Sequence, residues 1–273
     1  MSYKTILVHA EAGESSDARV ELAVQVAGMF GAKVIGLGAE GFFPIMTSGY
    51  AASDGMVIEA VRERIAADLP VAEQRFRGLA AGVADGVEWL TGYDYPAVEL
   101  ARHARGADLV VASRPQRGCN PAFAAPAADV VLEAGAPVLL ASDTGAPLRA
   151  EHVLLAWKNT RESRRALTDA MPFLMRAHKV TVMVVSGESE EVEEVGLHEV
   201  AARLSRHGVD VDTLFAPKGR ATVAETIERT ATRLQADLIV MGAYGHSRLQ
   251  EWVLGGVTED LLAASPHCVL FSH

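Results

Sequence analysis

Residues 107–113 read ADLVVAS, and residues 236–242 read ADLIVMG. Both stretches are short, continuous apolar runs, which are typical of strands covered on both faces, as in a parallel sheet. A second pair of stretches is similar in the same way, because residues 5–11 (TILVHAE) and residues 152–158 (HVLLAWK) each lead from an apolar run into a polar turn. The sequence therefore contains two copies of one architecture.

Strands alternate with helices in both copies. A short turn-forming stretch around Gly145 separates the copies, so we predict one domain over residues 1–145 and another over residues 150–273. The alternation implies right-handed βαβ crossovers, and the predicted fold class is α/β with two tandem doubly wound domains. In the second copy the pattern predicts strands near 152–157, 179–185, 210–215, 237–242 and 267–272, separated by helices near 161–177, 190–207, 221–234 and 257–264.

The first copy has a longer connection after its second strand. Residues 39–55 (AEGFFPIMTSGYAASDG) are predicted to form a loop. The helical stretch that follows contains Pro70, which has no backbone N–H and is expected to break or kink the helix.

Composition excludes several classes of function. The formal net charge of −10 repels phosphate, which argues against non-specific binding to nucleic acid or to anionic membranes. The first apolar run is too short for a signal-peptide core, and no later run reaches the roughly 18 residues of a membrane span. Cys119 and Cys268 fit neither a disulfide framework nor a zinc site, so we expect a cytoplasmic protein with reduced thiols.

Common catalytic motifs are missing from the sequence, and we predict no catalytic residue and no metal site. The nine histidines are scattered, and we interpret them, His198 and His207 included, as solvated surface residues. A GxGxxG pattern at Gly36–Gly41 follows an apolar strand, but Phe-Phe-Pro comes next instead of a helix start. A dinucleotide site is therefore not predicted there.

The informative segment is residues 242–258, GAYGHSRLQEWVLGGVT, which begins where the fourth strand of the second copy ends. Ligands of open parallel sheets bind outside the carboxyl ends of strands, and glycines such as Gly242 and Gly245 let the backbone approach a ligand. The later glycines precede a predicted helix start, whose N–H groups suit a phosphate, as does the Thr258 hydroxyl. A plain connecting turn fits the same residues, and physical chemistry alone leaves both interpretations open.

The spacing Gly242-x2-Gly245-x9-Gly255, followed by Val257, Thr258 and a closing apolar strand, resembles the G-x2-G-x9-G-[S/T] pattern of ATP-binding members of the universal stress protein family. The resemblance extends over both copies, so the chain is similar to a tandem universal stress protein. It implies a five-stranded parallel sheet flanked by helices in each copy. It also implies ATP or AMP, with or without Mg²⁺, held between the first and fourth strands.

Individual roles follow from the same resemblance. In the family, residues at the ends of the first and second strands contact adenine, and the glycine motif with the following helix start holds the ribose and phosphates. The implied adenine contacts are Ala156, Trp157, Lys158 and Val185, and the implied ribose and phosphate contacts are Met241, Gly242, Gly245, Gly255, Gly256, Val257 and Thr258.

Two positions depart from the family pattern. Gly256 stands in place of Ser or Thr, which removes a hydroxyl donor but keeps the backbone N–H. Lys158 stands in place of an aspartate, and an ammonium group cannot accept a hydrogen bond from adenine or ribose. We therefore expect a lower affinity and an altered base selectivity.

The glycine motif is lost from the first copy. The corresponding positions hold Ser113, Gln116, Pro126 and Ala127, which add side chains and, at the proline, remove an N–H. Glu11 occupies the position on the adenine side. We predict no tight ATP binding in this copy and assign it a structural or partner-binding role.

Association of the copies is predicted from the last strands, through which family domains commonly dimerise. Residues 138–141 and 268–271 are expected to pair within the chain as an internal pseudo-dimer, because either strand alone would expose an apolar edge. The sequence leaves a homodimer of whole chains open.

Three functional hypotheses are kept. The first is a nucleotide-binding stress-response or regulatory module whose partner is an adenine nucleotide. The second is a slow ATPase, for which Glu259 and Asp260 are the nearest acids, although acids early in a helix usually complement its dipole. The third is a module for a small apolar ligand or a protein partner, suggested by the apolar residues 42–46.

Overall fold

A computed structural model describes residues 2–41, 51–114, 124–185, 190–217, 219–245 and 256–273. The chain forms two compact units, which we call the N-terminal unit (Tyr3–Ala134) and the C-terminal unit (Gly135–His273). Residues 135–145 thus belong to the C-terminal unit, although the sequence repeat assigns them to the first copy. The repeat boundaries 1–145 and 150–273 stay a prediction.

The N-terminal unit alternates strands and helices. Its elements are β1 (Thr5–His9), a 3-10 turn (Glu14–Ser16), α1 (Asp17–Phe30), β2 (Lys33–Ala39), α2 (Ala51–Leu79), β3 (Val87–Gly92), α3 (Pro96–Ala104), β4 (Leu109–Ala112) and α4 (Ala127–Glu133). The strands pair in parallel in the order β3-β2-β1-β4. All four residues of β4 are buried, as expected for a strand covered on both faces.

The C-terminal unit repeats this arrangement. Its elements are β5 (Val138–Leu140), β6 (His152–Ala156), α5 (Arg161–Asp169), α6 (Met171–Leu174), β7 (Lys179–Val185), α7 (Glu190–Arg206), β8 (Val211–Ala216), α8 (Val223–Leu234), β9 (Leu238–Gly242), α9 (Val257–Ala263) and β10 (Cys268–Ser272). Five strands pair in parallel in the order β10-β9-β6-β7-β8. The predicted α/β class, with a parallel sheet flanked by helices, is confirmed.

One helix predicted over residues 161–177 is interrupted. The helix α5 ends at Asp169, and α6 begins at Met171. Pro172 lies within the first turn of α6, where its missing N–H has no cost, whereas in the middle of one long helix it would remove a hydrogen bond.

Pro70 does not break α2, so the predicted break is wrong, whereas a kink at this residue stays a prediction. The helix runs from Ala51, inside the predicted loop 39–55, through the exposed Pro70 to Leu79. Its buried face is made by Ile65, Leu69, Ala72 and Phe76. Packing of this apolar stripe offsets the cost of about 3 kcal/mol that a proline imposes on a helix interior. The part of the predicted loop at residues 42–50 lies outside the described residues.

The aspartates of the Ala-Asp pairs shared by the two copies bind the backbone at the start of β1 and just before β6. Asp108 Oδ2 accepts hydrogen bonds from the backbone N–H groups of Lys4 at 2.7 Å and Thr5 at 2.9 Å. Asp237 Oδ2 accepts a hydrogen bond from the N–H of Arg149 at 2.9 Å. Asp108 thus connects the start of β4 to the start of β1, and Asp237 connects the start of β9 to the residues before β6. Both contacts help to set the register between the paired strands.

The strand β5 pairs with the last strand of the chain. The pairing is antiparallel, with Leu139 opposite Leu270 and Val138 opposite Phe271. All three residues of β5 and all five residues of β10 are buried. The predicted pairing of these two strands is therefore confirmed, whereas the pseudo-dimer of the two copies stays a prediction.

We expect Asp108→Ala to lower the free energy of unfolding by about 1–2 kcal/mol, because two backbone N–H groups lose their acceptor. Asp108→Asn keeps one side-chain oxygen and is expected to lose less than half as much. Urea unfolding followed by circular dichroism measures both effects. Equal losses for the two variants, or no loss beyond that of the exposed-site control Glu21→Ala, would contradict the anchoring role.

Candidate functional site

The C-terminal sheet reverses its strand order between β6 and β9. From β6 the chain proceeds through β7 to β8 on one side, whereas β9 and β10 lie on the other. Crevices at the carboxyl ends of strands, at such a switch point, are the usual ligand sites of open parallel sheets. The register pairs Ala156, the last residue of β6, with Met241 on β9 and with Met183 on β7.

The residues predicted to contact adenine lie at the carboxyl ends of β6 and β7. Trp157 is 9% exposed, and its N–H donates to the Met183 carbonyl at 2.7 Å, which extends the pairing with β7 by one residue. Lys158 is exposed, and Val185 is the half-buried last residue of β7. The structure thus brings these residues to one edge of the sheet, and their contact with adenine stays a prediction.

Gly242 contacts the first turn of α5. A Cβ atom on Gly242 would lie 2.5 Å from the backbone nitrogen of Ser163 and 2.6 Å from the carbonyl carbon of Glu162. Protein atoms do not approach a Cβ so closely, so only glycine lets the helix lie against the end of β9. The bare face of Gly242 is therefore occupied by helix backbone, and a ligand contact at this residue stays a prediction.

Gly245 faces side chains of the same helical turn. A Cβ on Gly245 would lie 3.3 Å from Glu162 Oε2 and 3.4 Å from Thr160 Oγ1. Thr160 is the N-cap of α5, where its hydroxyl oxygen accepts a hydrogen bond from the N–H of Ser163 at 3.3 Å. The glycine therefore lets the end of β9 pack closely against the polar groups at the start of α5, and a ligand contact at Gly245 stays a prediction.

A hydrogen bond brings the two ends of the glycine-rich segment together. Tyr244, whose φ of 54° is in the left-handed region, donates its N–H to Thr258 Oγ1 at 3.2 Å. Its phenol O–H donates to Glu259 Oε1 at 2.8 Å. The chain therefore leaves the end of β9 and returns to the same place at the start of α9.

The remaining residues predicted to contact ribose and phosphates lie near the hydrogen bond between Tyr244 and Thr258. Gly256 is the buried N-cap of α9, and its carbonyl accepts the N–H of Asp260 at 3.0 Å. Val257 is half-buried, whereas Thr258 is 2% exposed and serves as an acceptor for the loop backbone. A hydrogen bond from Thr258 to phosphate stays a prediction, and Gly255 lies outside the described residues.

Glu162 is the buried acid of this site, with 4% of its surface exposed. Burial works to raise the pKa of its carboxyl group. Hydrogen bonds from Arg161, from its own backbone N–H and from Thr160 outweigh burial, and hold the pKa below its ordinary value. The side chain is therefore a carboxylate at neutral pH.

The corresponding switch point of the N-terminal unit, between β1 and β4, is occupied by Arg19. Its Nε donates to the His9 carbonyl at 2.6 Å, and its NH1 donates to Ser113 Oγ at 3.2 Å. A third donor, NH2, binds Glu11 Oε1. Glu11 accepts a further hydrogen bond from the Ser15 hydroxyl at 2.7 Å. The guanidinium group thus joins the ends of both strands, where the first copy lacks the glycine motif.

His9 is buried below this ion pair, so the prediction that the histidines are solvated is wrong for this residue. It is 2% exposed, its Nδ1 lies 3.2 Å from an Arg19 nitrogen, and its Nε2 lies 3.2 Å from the Ala39 carbonyl oxygen. Burial first, and then the charge of Arg19, lower its pKa to about 4. The neutral ring therefore accepts from Arg19 and donates to Ala39. His198 and His207 are exposed, as predicted.

Glu40, directly after β2, is the least satisfied acid of the N-terminal unit. Its side chain is 8% exposed, and Oε2 finds no hydrogen-bond partner among the described residues. Burial, followed by the charges of Asp68 and Glu11, raises its pKa to about 7, although Arg64 opposes this shift. A carboxyl group of this kind is largely protonated below neutral pH.

Reasoning from the sequence missed Arg19, Glu40, Glu162 and Tyr244. Only the stretch around Glu162 carried a local signal, since threonine is a favoured N-cap residue and Thr160 stands directly before the predicted helix. Among the described residues, no group of three or more histidine, cysteine or acidic side chains is arranged to hold a metal ion. None of the described helices is long and apolar enough to traverse a bilayer.

Each unit is thus a parallel sheet flanked by helices, with polar side chains at the point where the strand order reverses. This arrangement defines the doubly wound α/β class of protein. A model of the universal stress protein family matches residues 126–273, more than half of the chain. The chain therefore belongs to the universal stress protein family.

Solved structures share the fold over both units. A universal stress protein from Archaeoglobus fulgidus DSM 4304 is 16% identical, with a TM-score of 0.70 over 98% of this chain and 95% of that chain. A putative universal stress protein from Pseudomonas aeruginosa UCBPP-PA14 is 18% identical, with a TM-score of 0.59 over 99% of this chain and 93% of that chain. A functionally unknown protein from Pseudomonas aeruginosa PAO1 has the same identity and TM-score, over 99% and 92% of the two chains. A search of curated proteins found no match.

We expect Gly242→Ala to lower the free energy of unfolding by about 3 kcal/mol, because its methyl group would overlap the backbone of α5. Gly196→Ala is the matched control, since a Cβ on this helical glycine has nothing within 4 Å. The control is expected to be neutral or to stabilise by about 0.5–1 kcal/mol. Urea unfolding distinguishes them, and similar stabilities would rule out the close approach of α5.

We expect Glu40→Gln to stabilise the protein at pH 8 by about 1–2 kcal/mol, with a smaller effect at pH 5. The pKa of about 7 means that the folded state holds its proton where the unfolded state has lost it. Wild-type stability therefore falls as the pH rises from about 4.5 to about 7, and Gln avoids this loss. Urea unfolding of Glu40→Gln at pH 5 and pH 8, with the exposed Glu21→Gln as control, tests this prediction. A gain in the free energy of unfolding that does not depend on pH would contradict it.

Proposed function

We propose that the C-terminal unit binds an adenine nucleotide, ATP or AMP, at the carboxyl ends of β6 and β9, and that the protein acts as a stress-response or regulatory binding module. The observation that carries the proposal is the hydrogen bond from Tyr244 to Thr258. It joins Tyr244 and Thr258, at the two ends of the glycine-rich segment, beside the switch point of the sheet, where ligands of this class of fold bind.

Roles for individual residues follow from their positions around the hydrogen bond between Tyr244 and Thr258. Adenine is assigned to the ends of β6 and β7, and the ribose and phosphates to the end of β9 and the start of α9. The adenine residues are Ala156, Trp157, Lys158 and Val185, and the ribose and phosphate residues are Met241, Gly242, Gly245, Gly255, Gly256, Val257 and Thr258. Backbone groups rather than the Lys158 side chain accept from the base, because an ammonium group has only donors.

In this proposal the N-terminal unit binds no nucleotide tightly. Arg19 already joins the His9 carbonyl, Glu11 and Ser113 at its switch point. Displacing it would break the partly buried ion pair with Glu11 and remove a donor from the His9 carbonyl. This unit instead has a structural or partner-binding role.

A slow ATPase finds no support among the described residues. Glu259 Oε1 accepts a hydrogen bond from the Tyr244 phenol O–H at 2.8 Å, so its carboxylate is engaged in a contact with Tyr244. The apolar residues 42–46, which suggested a site for an apolar ligand or partner, lie outside the described residues.

Isothermal titration with ATP and with AMP tests the proposal. We expect heat of binding at millimolar nucleotide for the wild type and a loss of at least about tenfold in affinity for Gly245→Val, because the added methyl groups fill the face toward Glu162 and Thr160. Gly219→Val is the matched control, since a Cβ there has nothing within 4 Å. Absence of binding to the wild type, or equal losses for both variants, would refute the proposal.

A further inference from the structure

Two glycines of β2 let side chains of α2 and β3 lie directly on the strand. A Cβ atom on Gly36 would lie 2.7 Å from Phe76 Cδ1. A Cβ atom on Gly38 would lie 3.0 Å from Leu69 Cδ2 and 2.4 Å from Trp89 Cζ2. Because Phe76 covers the earlier glycine and Leu69 the later one, α2 runs antiparallel to β2. The helical turn before Leu69 therefore reaches the carboxyl end of the strand.

Glu40 lies beneath that turn of α2. It follows β2 directly, and the alternation of side chains along a strand places it on the same face as Gly38. It is 8% exposed, and its Oε2 atom has no hydrogen-bond partner within the part of the chain that the structure describes. Burial, followed by the charges of Asp68 on α2 and of Glu11, raises its pKa to about 7, against the charge of Arg64. An unpaired carboxylate in this place opposes the packing of α2, whereas the protonated acid does not.

Titratable groups of other elements also lie close to Glu40. Burial, followed by the charge of Arg19, lowers the pKa of His9 on β1 to about 4, so its ring is neutral. Burial works to raise the pKa of Glu11, but the charge of Arg19 helps to hold it below its ordinary value. The ring of Tyr95, just before α3, lies 3.1 Å from the place of a Cβ on the glycine that follows Glu40. Of the described residues with a shifted pKa at this end of β1 and β2, Glu40 is therefore the one whose charge changes near neutral pH.

Pro70 divides α2 into two parts that are held differently. Proline has no N–H, so the helix lacks a hydrogen bond at this residue, and helices bend at such places. After Pro70, Arg75 binds Asp17 of α1 through two hydrogen bonds, of 2.6 and 2.5 Å. Before Pro70, the buried side chains among the described residues are Ile65 and Leu69. The buried acid therefore acts on the earlier part of the helix.

We propose that the part of α2 before Pro70 is a pH-sensitive lid, which stays on β2 while Glu40 is protonated and opens about Pro70 when Glu40 loses its proton. Opening brings the carboxylate into water and uncovers the carboxyl end of β2. Glu40 stabilises the closed lid fully below pH about 4.5, and this stabilisation is lost as the pH rises to about 7, because its pKa is raised in the closed state. The N-terminal unit thereby responds to pH whether or not the C-terminal unit binds a nucleotide.

Amide hydrogen exchange of the whole protein tests the lid. After correction for the intrinsic effect of pH on exchange, we expect the protection of residues 62–69 to fall by at least about tenfold from pH 5 to pH 8. Residues 72–79, after Pro70 on the same helix, are the internal control. At pH 8 they are expected to be at least about tenfold better protected than residues 62–69, because the lid opens while the rest of the unit stays folded. Equal protection of the two parts at pH 8 would mean that they open together, and would overturn the lid.

Two variants test the acid and the hinge. Glu40→Gln keeps the shape of the side chain without its charge, and is expected to abolish the effect of pH on residues 62–69. Glu63→Gln removes an exposed carboxyl group of α2 and is expected to keep that effect. Pro70→Ala restores an N–H to the helix, and we expect it to raise the protection of residues 62–69 at pH 8 by at least about threefold. A pH effect that persists in Glu40→Gln, or unchanged protection in Pro70→Ala, would overturn the inference.

Discussion

The close approach between the start of α5 and the end of β9, with its counterpart between α1 and β4, is the contact on which the site depends. In the C-terminal unit the backbone of α5 lies against Gly242, with no room for a single methyl group. In the N-terminal unit the guanidinium of Arg19 spans the corresponding gap to Ser113. The same scaffold therefore brings helix backbone to the strand end in one unit and a charged side chain in the other. What lies at this contact decides which groups a ligand meets at the sheet edge.

The sheet edges of the two units also differ in how their charged side chains are paired. In the N-terminal unit Arg19, Glu11 and the neutral ring of His9 satisfy one another, and a ligand would have to break a buried ion pair. In the C-terminal unit Glu162 has its cation on the solvent side, and its second oxygen faces Gly245. The two units thus differ in the groups that engage the charged side chain at the strand end.

Much of the fold was predictable from the sequence, because continuous apolar runs and their repetition are local signals. The strands around Leu238 and Val180 lie where the pattern placed them, and the shared aspartates proved to be anchors of strand register. The course of α2 was not predictable, since the cost of Pro70 is local whereas the packing of Phe76 that offsets it is tertiary. Tertiary contacts also explain why the roles of Arg19 and Glu162 were not predicted from the sequence.

Those two residues are Arg19 and Glu162. In sequence, a charged residue in the first turn of a helix is normally a solvated one, and only the fold shows that each side chain is turned inward. The glycine motif, in contrast, was found from spacing alone, although the spacing did not reveal that Gly242 serves helix packing. The positions of the glycines were therefore predictable from the sequence, whereas the packing of Gly242 against α5 was not.

The antiparallel pairing of β5 with β10 has a consequence for how the chain can be divided. The segment that completes the C-terminal sheet comes from the end of the first sequence repeat, so the folding unit is longer than the repeat that encodes it. A fragment cut at the predicted repeat boundary would leave one edge of β10 unpaired, while the other edge keeps β9, along a row of buried residues such as Leu270 and Phe271. Such an edge recruits strands from other molecules.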